Sequence, residues 1–141
     1  MPRLLRDSPL NSIWEGSGNV IALDLLRAFR KEPGSIGALM QEMEQAKGLD
    51  PRLDRAIAVA EQKVKQLLAR DEEAEYLARA AVELLALALQ GSLVVRHSPS
   101  FVAEAFLASR LDGGAGGRVF GTLPSGIDCA AIIDRHRPKL P

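Results

Sequence analysis

The sequence predicts an all-α helical bundle, and three observations predict it. Ala and Leu dominate an apolar fraction of 47%, while aromatic residues make up only 4%, a balance that favours helix over strand. Apolar residues recur at alternating spacings of four and three, the seam of packed helices. No stretch alternates apolar and polar residues as a half-buried strand does. With 141 residues the chain is long enough for one domain with a core, and no internal repeat or second domain is visible.

Met1 to Pro9 mixes Pro2 and Pro9 with Arg3, Arg6 and Asp7 and shows no period, so an irregular segment or a short helical turn is expected. The first helix is expected over 18–31. Val20, Ile21, Leu23, Leu25, Leu26 and Phe29 cover most of its circumference, which predicts a deeply buried helix, central in its domain or set in an interface. Glu32-Pro33-Gly34 ends it, because Pro cannot continue the hydrogen-bond ladder. A second, amphipathic helix over 35–47 places Ile36, Leu39, Met40 and Met43 on one face, with Gly48 as its stop. Asp50-Pro51 reads as N-cap and first helical position of a third helix to about Arg70. Its seam is Leu53, Ile57, Ala60, Val64 and Leu67.

Asp71, Glu72, Glu73 and Glu75 suit a helix N-terminus, where the dipole favours acids. A solvated helix start explains them better than a metal site, and no metal-binding residues are expected anywhere in the chain. The fourth helix runs from there to about His97, with Leu77, Ala81, Leu84 and Ala88 as its seam. Glu83, Gln90, Gly91 and Ser92 interrupt its apolar run, which falls short of the roughly 18 unbroken apolar residues of a membrane span, so a buried helix and no membrane partner are expected. Ser98 is placed as cap and Pro99 as first residue of a fifth helix to about Leu111. Gly113 to Gly117 is a flexible loop without the Lys-Ser/Thr ending of a phosphate loop. A short terminal helix is expected over 128–135, followed by a basic tail.

The formal net charge is zero, from 18 basic and 18 acidic residues, so the basic excess typical of a nucleic-acid module is absent. The one cysteine, Cys129, excludes an internal disulfide and fits a reducing compartment. No secretory signal opens the chain, and a cytoplasmic protein is expected.

One stretch stands apart: Asn11-Ser12-Ile13-Trp14-Glu15-Gly16-Ser17-Gly18-Asn19. It sets one carboxylate, Glu15, between an aromatic residue and a small flexible run, directly before an apolar helix. Gly16 and Gly18 let the backbone bend and approach a ligand closely. The following helix points free N–H groups and its positive dipole end at the turn, so it can hold an anion or a polar cofactor. Equally, small residues with Asn19 as N-cap make an ordinary helix start. The stretch comes almost at once, and further chain upstream of it is expected.

This stretch resembles the acyl-CoA dehydrogenases, whose C-terminal helical domain carries an aromatic-Glu-Gly-Thr/Ser turn before a helix. It is most similar to their AidB-like, alkylation-response branch. The likeness continues in Pro2-Arg3-Leu4, Leu23-Asp24-Leu25-Leu26-Arg27, Ala105 to Leu111, Phe120 to Pro124 and Gly126-Ile127-Asp128. The resemblance implies a C-terminal-type domain over 1–141: base-bearing turn at 1–17, helices at 18–111, and Gly-rich loop with terminal helix at 112–141. It implies Glu15 as the catalytic base that takes the α-proton of an acyl-CoA thioester, with hydride transfer to FAD. It implies cofactor contacts from Trp14, Gly16, Ser17 and Asn19. Here Ser17 replaces the commoner Thr, Trp14 replaces Tyr, and Asn19 stands where relatives often carry Gln. The branch's association with double-stranded DNA points to Arg27, Arg30 and Lys31, or to the basic tail. The N-terminal and β-domains of a full member are not in this sequence. The resemblance therefore implies a bundle truncated at its N-terminal side, inactive alone and completed by those domains or by a second chain. Homo-oligomerisation is the family habit, and exposed apolar surface on the first helix would favour it. A helical interaction domain without catalysis is the remaining alternative.

Overall fold

The computed structural model describes residues 2–12, 18–112 and 121–138. Within them the chain is helical, with no strand among the described residues. The helices are α1 (Pro2–Asp7), α2 (Gly18–Lys31), α3 (Gly34–Glu44), α4 (Pro51–Ala69), α5 (Ala74–His97), α6 (Ser100–Arg110) and α7 (Cys129–His136), with 3-10 turns at Ser8–Ser12 and Asp71–Glu73.

Helix α5 is the axis of the bundle, about 36 Å long at the standard rise, and α2, α3, α4 and α6 all pack on it. Its buried face is Ala74, Ala78, Ala81, Leu85, Ala88 and Ser92, with Gly91 beside it. That face lies one residue round from the expected seam: Leu77 and Leu84 are only half-buried. The small residues take the inner positions because they let neighbouring helices approach most closely. By length and composition α5 is apolar enough to cross a membrane, which the expectation from its polar interruptions denied; its inner face packs against the other helices.

This arrangement corrects the expectation for the first helix. Only Ala22, Leu26 and Phe29 of α2 are buried, while Val20, Ile21 and Leu23 are exposed. Helix α2 packs on α5 and α3 along one stripe, so its outer face has no neighbour among the described residues. The seam of α4 is as expected: Leu53, Ala60, Val64 and Leu67 are buried and Ile57 packs beside them. On α3, Met43 is fully buried.

Local signals explain most helix ends. Asp50 caps α4, its carboxylate accepting from the Arg52 backbone N–H at 2.8 Å, with Pro51 at the first position. Gly48 stands at φ +81°, a conformation that costs other residues roughly 1–2 kcal/mol, and its N–H donates to Asp54 at 3.0 Å. Asp128 caps α7 by accepting from the Ala131 N–H at 2.9 Å, and Cys129 opens that helix in an exposed position. The break after α5 differs by one residue from expectation. Ser98 is extended and closes α5, donating its N–H to Val94 at 2.9 Å, and Pro99 precedes α6 with no side-chain cap. Asn19 is likewise no cap, since α2 begins at Gly18.

Two polar ties join helices distant in sequence. The buried Ser92 hydroxyl donates to the carbonyls of Glu42 and Met43 at 3.5 and 3.4 Å. Arg96 donates to the Glu42 carbonyl at 3.3 Å and to its carboxylate at 2.7 Å. Together they satisfy carbonyls at the C-terminal end of α3, which a helix leaves without partners. At the other tie, Arg52 bonds Asp50 at 2.9 and 3.1 Å and Glu104 of α6 at 2.6 and 2.9 Å. The Arg52 hydrogen bonds hold both carboxyls below their ordinary values and raise the guanidinium's own.

Two outcomes follow. A Cβ at Gly91 would lie 2.9 Å from Leu53 and 3.0 Å from Leu111, so Gly91→Leu should cost about 2–3 kcal/mol in urea unfolding. Because the Asp50 and Glu104 carboxyls are depressed in the fold, their stabilisation is complete above the ordinary carboxylate range near pH ~4 and is lost as pH falls through their lowered values. Arg52→Met should therefore lower the free energy of urea unfolding at pH 7 by about 1 kcal/mol and flatten its fall between pH 5 and pH 2. An unchanged pH slope in the variant would refute this account.

Candidate functional site

The expected site residues meet the described structure at the start of α2. Trp14, Glu15, Gly16 and Ser17 lie outside the described residues. Asn19 is described, and it is exposed on the first turn of α2. There it lines an open groove of about 320 Å³ with Ala22, Leu23, Glu75, Tyr76 and Arg79. A second groove, about 280 Å³, runs along the other side of the same junction between Gly18, Ile21, Arg79, Val82, Glu83 and Ala86.

Arg79 is common to both grooves. Its guanidinium lies against Gly18: a Cβ on that glycine would fall 1.7 Å from Nη1. The first groove thus combines an amide, a phenol, a carboxylate and a cation over an apolar floor. Such a surface can orient one edge of a polar ligand and cannot enclose a large one. Tyr76 is 88% exposed, so its ring is free to stack on a ligand or on another chain.

Sequence reasoning named Asn19 and missed Arg79, Tyr76 and Glu75. The only available signal was Arg79 as a lone cation in the run Leu77-Ala78-Arg79-Ala80-Ala81. Nothing in the sequence indicated that α5 would bring it to the start of α2. The acidic run at 71–75 forms a helix start, with Glu73 paired to Arg70 at 3.0 Å. No group of metal-binding side chains occurs among the described residues.

Arg27, Arg30 and Lys31 are all exposed on the last turns of α2. Arg27 is bonded to the Asp24 carboxylate, which offsets part of its charge. His97 is exposed in the last turn of α5.

The described residues define a class, an all-α bundle, which is the architecture expected of a helical C-terminal domain of the relatives below. The chain belongs to the acyl-CoA dehydrogenase family, in its AidB-like branch. It is 34% identical over 119 residues to the putative acyl-CoA dehydrogenase AidB of Escherichia coli (strain K12), covering 84% of this chain and 21% of that protein. It is 37% identical over 71 residues to acyl-CoA dehydrogenase family member 11 of Caenorhabditis elegans, covering 48% of this chain and 12% of that protein. The chain thus spans about a fifth or less of the curated relatives it matches. No protein-family model matches it, and no solved structure matches it.

Proposed function

We propose that this chain is the base-bearing helical portion of an FAD-dependent acyl-CoA dehydrogenase-like enzyme, acting only together with the missing N-terminal and β-domains or a second chain that supplies them. The observation that carries this reading is the AidB relationship across 84% of the chain, in a sequence that retains Trp14-Glu15-Gly16-Ser17 before α2.

In this reading Glu15 removes the α-proton of an acyl-CoA thioester. The step needs a carboxylate in a water-poor pocket, where desolvation raises its pKa and strengthens it as a base. FAD, when bound, supplies the acceptor for the β-hydride. Asn19 would offer its amide to the cofactor, beside Trp14, Gly16 and Ser17. The described surface fits contact with one edge of that cofactor: the groove at Asn19 is open and about 320 Å³ in volume. It does not enclose FAD, so the remaining walls must come from elsewhere.

The exposed Val20, Ile21 and Leu23 on α2 support this view, because they leave an apolar face for such a partner or for another copy of the chain. A second reading, binding of double-stranded DNA, draws on the exposed Arg27, Arg30 and Lys31 at the end of α2. The balanced net charge argues against strong non-specific binding.

Two experiments test the proposal. The isolated chain passed over gel filtration with FAD should emerge without stoichiometric flavin; a stoichiometric complex would contradict the need for further domains. In an enzyme reconstituted with those domains, Glu15→Gln should lower turnover by at least ~10²–10⁴-fold and leave any salt-sensitive duplex binding unchanged. Retained turnover would remove Glu15 as the base.

A further inference from the structure

We draw no further inference here: the strongest candidate, the exposed apolar face of α2 at Val20, Ile21 and Leu23 with the grooves along α5 beside it, carries nothing, because nothing in the structure shows what covers it.

Discussion

The bundle depends on how little side chain α5 presents to its neighbours. Ala74, Ala78, Ala81 and Ala88 are each 1% exposed or less, and Gly91 meets Leu53 and Leu111 at distances where even a methyl group would crowd them. Close approach lets one helix serve as the contact surface for α2, α3, α4 and α6 together. Apart from Leu85 of α5, the large residues come from the outer helices: Leu26 and Phe29 from α2, Met43 from α3, Leu53, Val64 and Leu67 from α4, Leu107 from α6. Small against large is the condition for dense packing without voids.

The polar contacts serve register rather than mass. Ser92 and Arg96 fix how far α5 extends past the end of α3, since they reach its last carbonyls. Arg52 joins the cap of α4 to the outer face of α6 through two carboxylates. Neither tie is deeply buried as a whole, so each adds modestly to stability. Their value lies in excluding packings in which the helices slide.

The same axis accounts for the candidate site. Helix α2 lies on α5 by one stripe only, which leaves its outer face exposed and two grooves beside its first turn. Arg79 links the two levels: it belongs to the core helix by its backbone and to the site by its side chain.

Helix type and approximate ends were readable from periodicity and punctuation, because those signals are local; the short helix α1, where no period shows, was not. Pro33, Gly48, Asp50-Pro51 and Asp128 act within a few residues of themselves, and the structure uses each near the predicted boundary. What the tertiary structure decided was which apolar helix lies at the centre and which cation lies beside the first residue of α2. The continuous apolar run of α2 made it look like the core, yet α5 took that place because small residues permit closer neighbours than large ones. Arg79 meets Gly18 across 61 positions of sequence, and no spacing rule spans that distance. Local signals write helices; the choice among their packings is made by shape, which only the assembled bundle expresses.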